Sequence, residues 1–258
     1  MCTLIIARNL FRFYPLVVAA NRDERLHRPS AGPARLHGNA PTVLAPRDAV
    51  FGGTWLGVNA SGVASAITNR DTVEHARGRV SRGMLAHTAL KCRTAAEAIS
   101  RVIDFGGKNF NGFHLAVMDR EDGYLLLGDG NDIVVRPLED GLTIVTASGY
   151  GPEHSQREMR LRSLFRKEVR NHPPRPSTFA PLLNLHDLPH SESGETGACL
   201  HGSPDDDWVT KSSSLIRVQD RKRSDGSLWR FWEFFHRERT LARPNCGSPW
   251  SAYELDLE

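Results

Sequence analysis

Met1-Cys2-Thr3-Leu4-Ile5-Ile6-Ala7-Arg8, followed after a short turn by Leu16-Val17-Val18-Ala19-Ala20-Asn21-Arg22-Asp23-Glu24, decides how this 258-residue chain is read. Thr3–Ala7 and Leu16–Ala20 are apolar and β-rich. Asn9–Pro15 between them is a loop of hairpin size, so the spacing predicts an antiparallel pair with Cys2 at one end. In that pairing the polar cluster Asn21–Glu24 leaves the second strand close to where the first begins. One hairpin end then gathers a thiol, a cation, two carboxylates and an amide. Cys2 is small enough for Met1 to be removed before it, which leaves one residue with a thiol and a free α-amine. With reference pKa values near ~7.7–8.0 and ~8.5, that residue can act as nucleophile and as its own base. A neighbouring carboxylate would orient the amine, and an arginine would favour the thiolate. On that ground Cys2 is expected to be the fastest of the four thiols, ahead of Cys199 and Cys246 in polar segments and Cys92 in a core-facing helix.

The start Met1-Cys2-Thr3, the tetrapeptide Asn21-Arg22-Asp23-Glu24 with Arg28-Pro29 after it, and the run Gly52-Gly53-Thr54-Trp55-Leu56-Gly57-Val58-Asn59 together resemble the NRDE family, also called the Transport and Golgi organization protein 2 family. Thr68-Asn69-Arg70, Ser81-Arg82-Gly83, Asn111-Gly112-Phe113 and Lys211-Ser212-Ser213-Ser214 carry the resemblance over nearly the whole chain, thinning between about Pro173 and Asp207. That family in turn resembles the N-terminal-nucleophile hydrolases of the choloylglycine hydrolase and penicillin V acylase branch, whose mature proteins begin with cysteine. The resemblance implies an α+β fold, a four-layer αββα sandwich of two antiparallel sheets, and leaves the activity open.

It also implies site residues. In the choloylglycine hydrolases an arginine, and an aspartate three residues later, serve beside the cysteine. Strand alignment puts Asn21 and Glu24 there, and a shift of register would bring Arg22 and Asp23. Asn69 matches an oxyanion-hole asparagine, a donor typically worth ~2.7–4 kcal/mol in the transition state, though a strand-end asparagine is equally a turn former. The second such asparagine would fall near Thr146-Ala147-Ser148, where the chain has no amide. Lys211 stands where the family usually has an arginine and cannot reproduce a bidentate clamp. The candidate catalytic residues are therefore Cys2, Arg22, Asp23, Glu24, Asn69 and Lys211. Asn21, Trp55 and Asn59 are the candidate binding residues, with Trp55 also reading as a core filler and Asn59 as the turn former of its hairpin.

Composition narrows the function class. At 40% hydrophobic content the chain can bury one full core, so a single domain over residues 1–258 is expected. A net charge of +3 without clustered Lys/Arg gives no nucleic-acid face. No apolar run approaches a membrane span, and Arg8, Asn9 and Arg12 interrupt any signal-like segment, so a cytoplasmic protein is expected. Four scattered cysteines without C-x-x-C favour neither disulfides nor a zinc site, and no metal is expected. His27, His75, His154 and His201 have no spacing that ranks them as ligands.

Along the chain, Arg25–Pro46 reads as a long surface loop at the hairpin mouth. Thr54–Val58 and Val63–Thr68 form a second hairpin, and Ser81–Cys92 and Thr94–Phe105 form helices capped by Ser81 and Thr94. Asn111–Met118, Gly123–Gly128, Asp132–Pro137 and Gly141–Ala147 read as a four-strand meander. Ser155–Arg170 and Thr178–Leu188 read as helices, Ser191–Asp207 as a mobile loop, Ser213–Asp220 and Leu228–His236 as strands, and the end from Leu241 as an irregular tail. Two functions fit. One is a cysteine amidohydrolase that cleaves a small-molecule C–N amide bond and requires no cofactor. The alternative is a non-catalytic carrier of a hydrophobic metabolite such as haem, since the family resemblance implies a link to haem trafficking, with Cys2 or a histidine as axial ligand.

Overall fold

The computed structural model describes residues 2–38, 41–71, 76, 79–186, 197–201, 207–222, 228–239 and 249–257. Its strands are β1 (Thr3–Phe11), β2 (Tyr14–Arg25), β3 (Ser30–Leu36), β4 (Val43–Asp48), β5 (Leu56–Asn59), β6 (Ala64–Asn69), β7 (Phe113–Met118), β8 (Gly123–Gly128), β9 (Ile133–Pro137), β10 (Gly141–Thr146), β11 (Gly149–Tyr150), β12 (Trp208–Lys222), β13 (Leu228–Glu238) and β14 (Ser251–Asp256). The helices are α1 (Gly83–Ala89), α2 (Ala95–Asp104), α3 (Gln156–Leu164) and α4 (Pro176–Leu183). The strands form two seven-stranded sheets, ordered β11-β10-β1-β2-β12-β13-β14 and β3-β4-β5-β6-β7-β8-β9, so the fold is α+β as the sequence implies. No helix among the described residues is long and apolar enough to cross a membrane.

The chain divides into two compact units. The first comprises Met1–Arg28, Asp140–Val218 and Glu233–Tyr253. Its organising pair is the β1–β2 hairpin, in register from Thr3↔Asn21 to Arg8↔Leu16. The expected hairpin is present with longer strands and a tighter turn: a bulge between Arg8 and Phe11, with Asn9 at φ 51°, lets the strands continue to Phe11 and from Tyr14. Alternation sends Ile5, Ala7, Val17 and Ala19 to one face. There they pack with Ile144 and Leu215 against Leu161 of α3, Phe179, Leu182 and Leu183 of α4, and Phe165 and Val169 of the π-helical turn that follows α3. Each Val, Leu, Ile or Phe side chain among them contributes about 1.5–3 kcal/mol by leaving water. Ser155 caps α3 by accepting from the Glu158 N–H.

The second unit comprises Pro29–Glu139, Gln219–Trp232 and Glu254–Glu258. Hairpin β5–β6 sits at its centre, and α1 and α2 pack on β5–β8. Thr94 caps α2 as its sequence position implies, whereas Ser81 does not cap α1, whose N-cap is Arg82 without a side-chain bond. Gly53 makes a close approach that a side chain would block. Thr54 N–H donates to the Gly83 carbonyl at 3.1 Å, and a Cβ on Gly53 would sit 2.6 Å from that oxygen and 2.8 Å from the Met84 nitrogen.

Several sequence expectations are corrected. Asn21–Glu24 lie inside β2, which runs on to Arg25. Arg25–Pro46 is not a loop: it contains β3 and most of β4. Pro33 and Pro46, which suggested irregularity, fall where the β3–β4 register shifts between Ala31 and Ala34, a bulge that tolerates a missing N–H. The last strand of the expected meander, β10, pairs with β1 in the other sheet. The helix expected at Thr178–Leu188 is α4 at Pro176–Leu183, and the C-terminal tail contains β14. Of Ser191–Asp207, residues 191–196 and 202–206 lie outside the described residues.

Candidate functional site

Within the first unit, continuing the strand registers sets Cys2 between Ala147 of the β10 side and Arg22 of β2, and Arg22 pairs directly with Ser212 of β12. The Cys2 thiol donates to the Asp23 carbonyl, 3.8 Å away. Side chains at 21 and 23 share the helix-covered face, and those at 22 and 24 the opposite one. The fold thus brings Arg22 and the Asp23 backbone to Cys2, while Asn21 and Glu24 turn to other partners.

Asp23 is buried, its Oδ1 accepting from the Thr210 hydroxyl at 2.6 Å. Burial raises its carboxyl above the ordinary range, against the pull of the chain's terminal ammonium, the Thr210 bond and the guanidiniums of Arg157 and Arg239. Burial likewise pushes the Cys2 thiol up, outweighing the terminal ammonium and Arg22, with the Asp23 carboxylate adding to the rise. Arg22 lowers the thiol pKa as expected, but in the chain that carries Met1 the desolvation outweighs that attraction.

Arg22 is buried and lies 3.8 Å from Glu24 Oε2, which is held more closely by Arg28 at 3.1 Å. Asn21 is a clamp: its Nδ2 donates to the carbonyls of Leu183 at 2.8 Å and Ala198 at 2.6 Å, and its Oδ1 accepts from the Ser213 hydroxyl at 2.7 Å. Lys211 lies at a bulge in β12, and its Nζ donates to the Leu26 and Arg28 carbonyls at 2.9 and 2.5 Å, pinning the chain as it leaves β2.

The remaining candidates belong to the second unit. Asn69 ends β6 opposite Phe113 and is half-buried. Trp55 is buried in the core. Asn59 is wholly buried, donating to the Leu90 and Cys92 carbonyls at 2.9 and 2.7 Å and accepting from Val63 N–H at 2.9 Å, so it secures the turn after α1.

Sequence reasoning missed two cations. Arg157, on the first turn of α3, is buried, and its Nε and Nη2 have no hydrogen-bond partner among the described residues although its charge acts on Asp23. Arg239, just after β13, donates to Ser213 Oγ, to the Leu183 carbonyl and to Cys199 Sγ. No local spacing announces either. Where the acylases' second asparagine would fall, Thr146 Oγ1 instead lies 3.0 Å from His154 Nε2 and 2.9 Å from Ser148 Oγ. Cys199, expected to be exposed, is buried, Cys92 is buried as expected, and Cys246 and His75 lie outside the described residues.

The two antiparallel sheets with their helices give an N-terminal-nucleophile-hydrolase-like fold. The fold is similar to a Caenorhabditis elegans N-acylethanolamine-hydrolyzing acid amidase ortholog, with TM-score 0.54 and 12% identity over 83% of this chain and 92% of that one. It is equally similar to a mutant conjugated bile acid hydrolase from Clostridium perfringens, with TM-score 0.54 and 11% identity over 98% and 96%. A family model described as Transport and Golgi organisation 2 matches residues 1–216, and the chain belongs to that family. It is 33% identical over 148 residues to a Transport and Golgi organization protein 2 homolog of Bos taurus, and 31% over 151 residues to that of Homo sapiens, covering 54% of this chain in each case. The chain spans about half the length of these relatives, 52% in each.

Proposed function

We propose that the chain is a cytoplasmic cysteine amidohydrolase that cleaves a C–N amide bond in a small molecule once Met1 has been removed. The observation that carries this reading is the meeting of Cys2 with Arg22 and Asp23 at one end of the β1–β2 hairpin. With the amine on Cys2 itself, the thiol proton passes to that amine as sulfur attacks the carbonyl carbon. The amine then protonates the departing nitrogen, and water releases the acid from the thioester. Asp23 would hold the ammonium, and Arg22 would offset the thiolate. The name of one fold relative, an acid amidase, agrees with an amide substrate, and the other is named a hydrolase.

Intact mass followed by an N-acyl amide hydrolysis assay tests this. The expected result is a mature chain lacking Met1, with turnover that Cys2→Ala abolishes; retained Met1 together with absent turnover overturns it. The alternative reading is a non-catalytic carrier of a hydrophobic metabolite such as haem, in which Cys2 would ligate the iron as thiolate or a histidine would take that place. Haem titration separates the two, because a carrier shifts the Soret band and loses the shift in Cys2→Ala or in a histidine variant.

A further inference from the structure

Apart from Cys2, the first unit gathers a second set of soft ligands. The Leu185 carbonyl, just past α4, accepts the N–H groups of both Ala198, at 2.6 Å, and Cys199, at 2.9 Å, which draws His186 to the side of Cys199. Leu200 is fastened to β12 through both backbone groups: its N–H donates to Thr210 Oγ1 at 2.8 Å, and its carbonyl accepts from Thr210 N–H at 3.0 Å. Between these anchors the ring nitrogens of His186 and His201 face each other, Nε2 to Nε2, at 3.1 Å, and Cys199 Sγ lies 3.7 Å from His201 Nε2. All three ligand atoms lie within 4.8 Å of one another.

We propose that His186, Cys199 and His201 bind a zinc-class divalent cation, with the fourth position left to water or an exogenous ligand. Zinc with Zn–N of about 2.0–2.1 Å and Zn–S of about 2.3 Å in a tetrahedron spaces its ligand atoms about 3.3 Å (N to N) and about 3.6 Å (N to S) apart. Two of the three spacings match. The third closes by rotation of His186, whose ring is exposed. Two imidazoles and a thiolate are the donor set that suits borderline-soft cations and excludes magnesium or calcium.

One cation already faces the sulfur: Arg239 Nη1 donates to Cys199 Sγ at 2.7 Å. An N–H bond to a thiolate favours the deprotonated ligand and persists beside a bound metal as its outer support. The site is joined to β2 by direct bonds. The Ala198 carbonyl accepts from Asn21, Arg239 holds Ser213 against Asn21, and Thr210, which anchors Leu200, donates to Asp23. A cation here would fix the segment on which Asn21 and Asp23 are oriented. The inference does not depend on the hydrolase reading.

Cobalt titration of the tag-free, chelator-treated full-length chain tests it. The expected result is one saturable equivalent with a near-ultraviolet sulfur-to-cobalt charge-transfer band that zinc displaces. Cys199→Ser should abolish the band and Cys2→Ser should keep it. His186→Ala and His201→Ala, both at exposed positions, should each weaken binding by more than the ~10–100-fold that loss of an outer support costs. They also decide the matter if Cys199→Ser does not fold. Cobalt uptake without a sulfur band, a band lost in Cys2→Ser but kept in Cys199→Ser, or histidine variants that bind as wild type would each overturn the site.

Discussion

Asn21 and Asn59 are two buried asparagines doing the same work in the two units, and the contrast between them separates packing from chemistry in the sequence motifs. Each donates through Nδ2 to a pair of carbonyls near a helix C-terminus: Leu183 and Ala198 for one, Leu90 and Cys92 for the other. Asn59 is self-contained; among the described residues no second side chain donates to its two carbonyls. Around Asn21 the bonding is redundant, because Arg239 also donates to the Leu183 carbonyl at 2.9 Å and to Ser213 Oγ at 3.0 Å. Both residues stand in recognisable motifs. Of the two, only Asn21 is followed in its strand by Arg22 and Asp23, and even there its own side chain holds backbone carbonyls.

Breaking the self-contained clamp should have the largest effect. Asn59→Ala strands two carbonyls and the Val63 N–H, and at 1–3 kcal/mol per buried orphan it should cost about 3–5 kcal/mol, read as a lowered denaturation midpoint at unchanged slope. Asn21→Ala should cost less, about 2–3 kcal/mol, because Arg239 remains on two of its partners. Equal losses would sink the redundancy argument. A double-mutant cycle sharpens the point: Arg239→Ala should couple to Asn21→Ala by roughly 1 kcal/mol and add independently to Asn59→Ala.

A smaller effect of opposite sign is expected at Asp23. Its folded value is raised, so between the ordinary carboxylate range and that raised value the folded chain holds a proton the unfolded chain has lost. Stability therefore falls as pH rises through this window. Asp23→Asn should melt higher than wild type at neutral pH, with the gap closing on acidification; a gap that widens in acid would contradict burial as the dominant influence. The smallest signal lies in the thiols. Cys92, raised to about 11, should stay unalkylated in the native protein at neutral pH. Cys2 in the Met1-retaining form should react slowly and accelerate as pH rises, read by peptide mass spectrometry.

The hairpins β1–β2 and β5–β6 were legible because apolar alternation and turn residues are local signals. Strand partnership was not: the same alternation that marks Gly141–Thr146 as a strand cannot say that it pairs with β1 and not with β9. Prolines 33 and 46 hid β3 and β4 by standing at a bulge. At the site, Cys2 and its neighbours on β2 could be read from the chain, but which of them turned toward the thiol depended on register. Arg157 and Arg239 arrive from 134 and 216 residues beyond Asp23, where no spacing rule reaches. The Cys199–His201 pair likewise lacked its third member until α4 brought His186 alongside.

Gly53 carries a lesson about what a family signature preserves. Its backbone lies so close to Gly83 that any side chain would push α1 away, so the Gly-Gly-Thr-Trp stretch is held by the demand to fold at all. A lineage that lost Cys2 would keep that stretch intact. In a library selected only for soluble expression, Gly53 should therefore emerge almost invariant while Cys2 drifts. Under the proposed hydrolase reading, selection for function would be visible in the second position of the chain and silent in the motif that best identifies it.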